Sequence, residues 1–413
     1  MDHEVARPRF HFTPARHWMN DPNGLIWVDG RFHVFFQHNP EGIDWDHMSW
    51  GHAVSGDLLT WEELPVAIPW IEGENAFSGS VVNPGDGRLV AVYTANTWDG
   101  NQAQALATSN DGGVTWTRFP GNPVLDRQST EFRDPHVFWH KDRWVMLAVL
   151  AEERQVLIYS SSDLVQWEHL STFGPSGPEN LIWECPAFAR LHLEDGTVRW
   201  VLLLSANPRV PDGIGSRMVY LVGMFDGRTF APDDARRWDS VDLGADFYAG
   251  VTFGDVPGDR AIALAWAANW QYAATVPTAP WRGVMTLPRE LGLRTSPAGP
   301  VLTQALPAEL VAASGLCTEI CAGTNEVVRV DVLGGAVVVT IGDGSITVVR
   351  AAHEVTGSAR STTRPLPRGE QRVTICVDSY VVEVFADGGA AVWTFLAFGD
   401  ASEPLVITRK QVP

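Results

Sequence analysis

Three carboxylate side chains stand out because each lies in a short motif with neighbours suited to a binding pocket. Asp21 follows a Trp-Met-Asn sequence, Asp134 lies within Phe-Arg-Asp-Pro, and Glu184 lies within Trp-Glu-Cys-Pro. No set of His or Cys ligands accompanies them, which favours acid and nucleophile chemistry over metal hydrolysis. In such chemistry one carboxylate attacks or stabilises an electron-poor carbon. Another, kept protonated by burial and by like-charged neighbours, protonates the leaving oxygen.

The elements that must bring these residues together follow a repeat. A turn sequence with a central Asp and an aromatic shortly after it occurs at Asp57, Asp111 and Asp163, with a weaker copy at Asp226, at steps of 54, 52 and 63 residues. The Asp can satisfy local backbone donors, and the aromatic can anchor the next strand. Between the turns lie short alternating or apolar runs without helical periodicity, which is an all-β pattern. A period in the fifties with about four strands per unit predicts a propeller blade, and residues 1–293 predict a five-bladed β-propeller.

The pattern changes after residue 293. Residues 295–300, Thr-Ser-Pro-Ala-Gly-Pro, predict a linker. Alternating strands separated by Gly- and Asp-rich turns follow, so residues 301–413 predict a C-terminal β-sandwich. This second domain has no obvious catalytic cluster. It could stabilise the propeller, provide a contact between subunits of a homo-oligomer or bind a polymer.

A propeller would explain how distant residues converge, because the inner strand of every blade faces the central axis. Polar residues recur at a similar phase of the repeat, at intervals of 57, 56, 50 and 62 residues: Asp21, Ser78, Asp134, Glu184 and Asp246. We therefore expect the carboxylates of Asp21, Asp134 and Glu184 to meet near the axis.

Composition excludes several classes of partner. The formal net charge of −19 argues against binding to nucleic acid and to anionic membranes. No apolar run approaches the roughly 18 residues needed to span a bilayer. The N-terminal residues are polar, without the apolar core of a signal peptide, which predicts a cytoplasmic protein, or a secreted one if a leader has been removed.

Cysteine, tryptophan and histidine usage adds three expectations. Four cysteines in 413 residues do not make a disulfide framework, and Cys317, Cys321 and Cys376 are expected to be small packed side chains. Four of the 18 tryptophans lie between Trp18 and Trp50, and such flat apolar faces suit both core packing and the faces of sugar rings. Seven of the 12 histidines precede residue 53 without zinc-site spacing, so we expect framework or pocket-rim histidines and no metal or cofactor.

Taken together, the ordered motifs resemble those of the invertase, inulinase and levanase family of β-fructofuranosidases. The matching motifs run through most of the chain: 18–24, 35–40, 50–53, 77–80, 132–135, 183–186, 245–249, 269–272, 280–283, 287–291 and 382–388. Residues 280–283 and 144–152 are more similar to the exo-inulinase and exo-levanase branch than to plant invertases. The family fold, a five-bladed propeller followed by a sandwich, agrees with the count made from the repeat.

The resemblance implies roles for individual residues. Asp21 would be the nucleophile that forms a covalent fructosyl-enzyme, and Glu184 would be the general acid and then the base. Asp134, with Arg133 nearby, would hold ring hydroxyls and stabilise the transition state. The outcome would be retention, with the Asp21 and Glu184 carboxyls about 5–5.5 Å apart. Cys185 would be either a thiol that tunes the acid or a packed one. The following residues match positions that line the fructose pocket of relatives: Asn20, Gln37, Trp45, Phe77, Ser78, Arg133, Trp270 and Trp281.

The resulting hypothesis is an exo-acting hydrolase that releases terminal β-fructosyl units from levan, inulin or sucrose. The same catalytic groups would serve a fructosyltransferase, or an enzyme that forms fructobiose or a difructose anhydride, because acceptor choice depends on loop shape and water access. A non-catalytic fructan-binding protein is a third hypothesis. The intact carboxylate trio argues against it, since a binding protein has no need of a buried protonated acid.

Overall fold

The computed structural model describes residues 5–311, 315–342, 344–367 and 369–411. Within these ranges the protein is all-β, and its helical segments are a four-residue helix and two short 3₁₀ turns: α1 (Ala308–Val311), Ala273–Thr275 and Asp387–Gly389. None of the helices in the described residues is long and apolar enough to cross a membrane.

The N-terminal part of the chain forms five sheets of mostly antiparallel strands, one after another along the sequence. The first two sheets contain β1 (His17–Val28), β2 (Arg31–Asn39), β3 (Ser49–Ser55) and β4 (Glu62–Ile68), then β5 (Glu74–Val82), β6 (Leu89–Thr97), β7 (Gln102–Ser109), β8 (Thr117–Arg118) and β9 (Leu125–Ser129). The third and fourth contain β10 (Phe132–His140), β11 (Arg143–Leu150), β12 (Gln155–Ser161) and β13 (Glu168–Phe173), then β14 (Leu181–His192), β15 (Val198–Pro208), β16 (Arg217–Phe225), β17 (Phe230–Pro232) and β18 (Asp239–Ser240). The fifth contains β19 (Tyr248–Thr252), β20 (Ile262–Trp266), β22 (Arg289–Arg294) and β23 (Val301–Ala305), while β21 (Trp281–Arg282) pairs in parallel with β1 of the first sheet.

Contacts between the sheets form a closed cycle. The first strand of each sheet packs against the first strand of the next, and β19 of the fifth sheet packs back against β1. The hydrophobic core is correspondingly divided into clusters between successive sheets. Strand β11 illustrates why its sequence is a continuous apolar run: Val145, Leu147 and Val149 face the fourth sheet, whereas Met146 and Ala148 face the second. Both faces of this strand are therefore buried.

The repeated turns predicted from the sequence are present between the third and fourth strands of successive sheets. In the first sheet, the Asp57 carboxylate accepts hydrogen bonds from the backbone N–H groups of Leu59 (2.9 Å) and Thr60 (2.7 Å). In the third, Asp163 accepts from two backbone N–H groups in the same way, and the indole of Trp167 donates to the carbonyl of Leu164. The Asp thus caps the turn and the aromatic closes it, as expected.

The C-terminal part forms two further antiparallel sheets that enclose their own apolar core. One sheet has the order β24–β29–β30–β31, and the other has the order β28–β27–β26–β25–β32. Their strands are β24 (Cys317–Ala322), β25 (Glu326–Val332), β26 (Val337–Gly342), β27 (Ser345–Arg350), β28 (Arg360–Pro365), β29 (Gln371–Asp378), β30 (Val381–Ala386), β31 (Ala391–Leu396) and β32 (Leu405–Gln411).

Two sequence predictions about this region are wrong. Cys317 and Cys376 are not separate packed thiols but form a disulfide, because they lie directly opposite each other on β24 and β29. Cys321 remains a free thiol. The domain boundary also lies later than 293–301. Residues 295–300 connect β22 to β23 within the fifth sheet, so that sheet extends to Ala305.

A buried ionic network joins the two parts of the chain. The guanidinium of Arg289, only 1% exposed, contacts the carboxylates of Asp242 (2.9 Å) and Glu383 (2.8 Å) and the hydroxyl of Thr394. Glu383 also contacts His11, which lies between Glu383 and Asp378. Burial lowers the pKa of His11, but the two carboxylates outweigh this effect and raise it to about 9. His11 is therefore a cation at neutral pH.

We expect Arg289→Met to destabilise the protein by about 3–5 kcal/mol, because it would leave Asp242 and Glu383 buried without their shared cation. The matched control is Arg329→Met, which removes an exposed guanidinium paired with Asp331 and should leave stability unchanged. Urea denaturation followed by tryptophan fluorescence measures both variants. Equal unfolding midpoints for the two would show that the interface does not depend on this network.

Candidate active site

The first strand of every N-terminal sheet carries an irregularity in its pairing near its start. Such a bulge places an extra residue on one strand and changes the direction of its side chains. The breaks in register lie at corresponding places: Met19/Pro22 in β1, Phe77/Gly79 in β5, Arg133/His136 in β10, Glu184/Ala187 in β14 and Tyr248/Val251 in β19. Asp21, Ser78, Asp134 and Cys185 lie inside these breaks, and Glu184 and Tyr248 flank them.

Three of these positions have a left-handed backbone, which is uncommon for residues other than glycine. The φ angles are 61° at Asp134, 46° at Cys185 and 54° at Ala249. The backbone N–H of each residue donates to a buried acceptor. The Asp134 N–H donates to Thr94 Oγ1 (2.9 Å), and the Ala249 N–H donates to Ser205 Oγ (3.0 Å). The N–H of Cys185 donates to Asp134 Oδ2 (2.8 Å). Strained backbone of this kind is retained where the surroundings impose it, and it clusters at functional sites.

Asp21 is held by two donors from different sheets. The amide of Asn20 donates to Oδ1 (2.9 Å), and the hydroxyl of Ser78 donates to Oδ2 (2.9 Å). Asn20 is itself oriented, because its Oδ1 accepts a hydrogen bond from the indole of Trp18 (2.7 Å). Burial raises the pKa of Asp21; the Asn20 hydrogen bond opposes this shift, and the nearby charge of Glu184 adds to it.

Asp134 and Cys185 connect the neighbouring strands. The Cys185 thiol lies 3.5 Å from Asp21 Oδ2 and 3.7 Å from Asp134 Oδ2, between the two carboxylates. Burial raises the pKa of Asp134 to about 7, despite the opposing effect of Arg133, with a further contribution from the charge of Glu184. Burial and the three surrounding carboxylates also raise the pKa of the Cys185 thiol. Cys185 is therefore a neutral thiol that separates two acids.

Glu184 is anchored at both carboxylate oxygens. Arg133 Nη2 donates to Oε1 (3.1 Å), and the hydroxyl of Tyr248 donates to Oε2. Arg133 is fixed in turn by Glu131 (2.9 Å) and Gln102 (3.2 Å). The Glu184 side chain is 20% exposed, compared with 7% for Asp134. Of these two carboxylates, Glu184 is thus the one with access to solvent.

The fifth polar residue proposed from the repeat, Asp246, does not join this group. It is fully buried at the interface with the C-terminal sheets, where it accepts hydrogen bonds from the Tyr272 hydroxyl (2.5 Å) and the Leu396 N–H (2.8 Å) and lies 3.5 Å from Arg350. Tyr248, two residues later, occupies the corresponding place beside Glu184. The repeat spacing thus located the right segment, but Asp246 lies before β19 and its carboxylate faces the C-terminal sheets.

The other residues expected in the pocket have different surroundings. Gln37 is buried and donates to the Ala76 carbonyl (2.9 Å), beside the second sheet. Trp45 is 47% exposed, and its ring packs edge-on to Phe77 (5.9 Å between centroids), the neighbour of Ser78. Trp270 stacks on Trp18 (6.1 Å between centroids).

Trp281 lies apart from these contacts. It belongs to β21, at the edge of the first sheet, and is buried beneath the Arg7 guanidinium, which lies 3.9 Å from the ring centroid. Its role in the pocket stays a prediction.

A central cavity of about 780 Å³ extends from the carboxylates along the cycle of sheets. Residues from the first strands of all five sheets line it, including Ser78, Asp134 and Cys185. Asp21 and Glu184 are not among the residues that line it. The carboxylates therefore lie at one end of the space enclosed by the five sheets.

Comparisons with known proteins agree with this geometry. Residues 11–305 match the family model described as the glycosyl hydrolases family 32 N-terminal domain. The chain is 43% identical over 328 residues to a levanase of Bacillus subtilis (strain 168), covering 74% of this chain and 48% of that protein. It is 42% identical over 319 residues to an invertase of Schizosaccharomyces pombe, covering 71% and 54%. The matched region thus spans about half the length of these curated relatives.

A solved structure is similar over the whole chain. The exo-inulinase of Aspergillus awamori superposes with a TM-score of 0.86 at 30% identity, covering 100% of this chain and 96% of that one. The similarity therefore includes both the five N-terminal sheets and the two C-terminal sheets.

The burial of Asp134 predicts a pH-dependent cost to stability. Its pKa is about 7 in the folded protein, against an ordinary value of 3.8, so the folded state binds a proton more tightly and loses stability as pH rises from about 4 to 7. Asp134→Asn has no charge to bury. We therefore expect the free energy of unfolding of the variant, relative to that of the parent, to rise by on the order of 2 kcal/mol as pH increases from 5 to 8.

Thermal unfolding at the two pH values measures this difference. The control is Asp111→Asn, since turn hydrogen bonds from Thr115 hold the pKa of Asp111 at about 2 and leave it ionised throughout this range. Its effect should not change between pH 5 and 8. A pH-independent effect of Asp134→Asn would mean that Asp134 is ionised in the folded protein at both values.

Proposed function

This chain belongs to glycosyl hydrolase family 32, and from that membership we propose that it is a retaining β-fructofuranosidase that releases terminal β-fructosyl units from levan, inulin or sucrose. The observation that carries the proposal is the joining of three carboxylates from three separate strands through Arg133 and Cys185. We further propose that the five N-terminal sheets are the blades of a propeller. The closed cycle of contacts between their first strands supports this.

In this proposal Asp21 is the nucleophile. One of its oxygens forms a bond to the anomeric carbon of the terminal fructosyl unit while the glycosidic carbon–oxygen bond breaks. The hydrogen bonds from Asn20 and Ser78 favour the ionised carboxylate and fix its direction, against the effect of burial on its pKa. The orienting bond from Trp18 to Asn20 holds the donor in place before substrate binds.

Glu184 is the acid and then the base. It transfers its proton to the departing oxygen, then removes a proton from the water that attacks the fructosyl-enzyme, so that fructose leaves and both carboxyls regain their starting states. Its greater exposure suits this exchange with a leaving group and with water.

Asp134 is the transition-state stabiliser. It is more buried than Glu184 and accepts a hydrogen bond from the Cys185 N–H, and in this proposal it holds hydroxyls of the fructosyl ring. Asn20, Gln37, Trp45, Phe77, Ser78, Arg133, Trp270 and Trp281 remain the proposed pocket residues.

A product time course on sucrose, inulin and levan tests the function. We expect free fructose from the first minutes beside slowly shortening polymer. Fructobiose, a cyclic dianhydride or lengthened oligosaccharides would instead identify the transferase or biohydrolase alternative. No product from any of the three substrates would contradict the proposal and favour the binding hypothesis.

Variants of the two carboxylates test their roles. We expect Asp21→Asn and Glu184→Gln to lower kcat on sucrose by about 10²–10⁴-fold, because each removes a group that acts in the transition state. With a nitrophenyl β-fructoside, whose leaving group needs no acid, Glu184→Gln should still give a burst of nitrophenol and Asp21→Asn should not. Glu62→Gln, an exposed carboxylate of the first sheet, is the control. Near-normal turnover of sucrose by either active-site variant would refute its assignment.

Tyr248 is a positioning residue in this scheme, since it acts through Glu184. We expect Tyr248→Phe to lower kcat by up to about 100-fold with KM nearly unchanged, because the carboxyl loses one of its two anchors while the ring is kept. Tyr220→Phe removes a buried hydroxyl of the fourth sheet, which accepts from the Leu302 N–H, and should leave both constants unchanged. A rise in KM at constant kcat would show instead that Tyr248 contributes to substrate binding.

A further inference from the structure

Three large apolar side chains are exposed in the connections of the first two sheets, at the end of the sheets where the carboxylates lie. Trp45 is 47% exposed, Ile71 is 43% exposed and Trp98 is 64% exposed. We refer to these three residues as the rim patch. Tryptophan is buried on average, and apolar side chains exposed close together mark a binding surface.

The rim patch lies in connections that open toward the catalytic end of the sheets. Asp21 and Ser78 are in the first halves of β1 and β5, and strand pairing sets those halves beside the connections that leave β2 and β6. Trp45 is in the connection between β2 and β3, Ile71 in that between β4 and β5, and Trp98 in that between β6 and β7.

Hydrogen bonds hold these connections against one another. The Met48 carbonyl accepts from the Ala76 N–H (2.8 Å), which ties the first connection to β5. The Trp98 N–H donates to the Gly73 carbonyl (3.1 Å), and Ile71 forms a two-way backbone pair with Glu74. Ile71 and Trp98 therefore lie beside the same short stretch of backbone.

The turn that carries Trp98 is fixed before any ligand arrives. Asp99 accepts hydrogen bonds from the Thr97 hydroxyl (2.5 Å) and the Asn101 N–H (3.2 Å), and the Gly100 N–H donates to the Thr97 carbonyl (2.8 Å). A rigid turn lowers the entropic cost of binding at the exposed indole.

One member of the rim patch adjoins the proposed pocket, and Trp98 lies farther from Asp21 along β5. Trp45 contacts Phe77, which adjoins Ser78, the donor to Asp21. Glu74 lies four residues before Ser78 on the extended strand β5, a distance of roughly 13 Å. Glu74 pairs with Thr97, which is the neighbour of Trp98. More than one sugar ring must span that distance.

We propose that Trp98, with Ile71, forms a distal subsite that binds a sugar unit of a fructan chain as the chain leaves the pocket. The flat indole would pack against the apolar face of the sugar ring. Trp98 is then a specificity residue that favours long fructans over sucrose, which is too short to reach it. This inference rests on the proposed hydrolase function.

Kinetics of Trp98→Ala on sucrose and on long inulin and levan test the subsite. Loss of one aromatic contact should raise KM for the polymers about three- to tenfold, with kcat and all sucrose constants within twofold of the parent. Trp98→Phe should restore part of the polymer affinity. The matched control is Trp139→Ala: Trp139 is 52% exposed, but it lies near the opposite end of the third sheet, against Trp144.

The outcomes separate this inference from the function on which it rests. If the parent releases no fructose from sucrose or from any fructan, the proposed function fails. If the parent degrades fructans and Trp98→Ala matches Trp139→Ala on the polymers, the function stands and the distal subsite is refuted. An equal loss on sucrose and polymer would also refute it, because sucrose does not reach Trp98.

Discussion

The geometry of the site depends on one backbone feature, the break in strand pairing near the start of each first strand. A regular strand would direct alternate side chains to its two faces, toward the neighbouring sheets. The breaks contain Asp21 and Asp134 and begin at Glu184, so that three sheets contribute to one polar cluster. The left-handed backbone at Asp134 and Cys185 is the local cost, and buried acceptors from adjacent strands offset it.

Carboxylates that lie close together repel one another, and a positive charge or a bound proton must offset this repulsion. Arg133 is the main source, since it faces both Asp134 and Glu184 and is fixed by Glu131 and Gln102. Burial, with a further contribution from the charge of Glu184, raises the pKa of Asp134 to about 7, so a proton on Asp134 offsets part of the negative charge near neutral pH. The site is therefore less stable than an apolar packing of the same strands would be, as is common where function sets the composition.

The C-terminal sheets contribute to the site indirectly. Asp246 is tied to Arg350 and Leu396 of the C-terminal domain, and it lies two residues before Tyr248, which anchors Glu184. The interface thus holds the start of β19 from one side while the cluster holds it from the other. This arrangement gives the C-terminal sheets a structural role in the position of Glu184.

The sequence alone predicted the all-β class, the repeated turns and the meeting of the carboxylates, because each depends on local patterns that recur at a fixed period. It failed for the Cys317–Cys376 disulfide, which joins residues far apart in sequence, and for the fifth sheet, where residues 295–300 form the turn between β22 and β23 and not a linker between domains. The repeat also included Asp246, which lies outside the cluster, and it gave no sign of Tyr248. A period measured between motifs locates the start of a strand, but it does not say which residue there faces the centre. An aromatic hydroxyl near a break in strand pairing is therefore as strong a candidate for the cluster as a carboxylate at the expected interval.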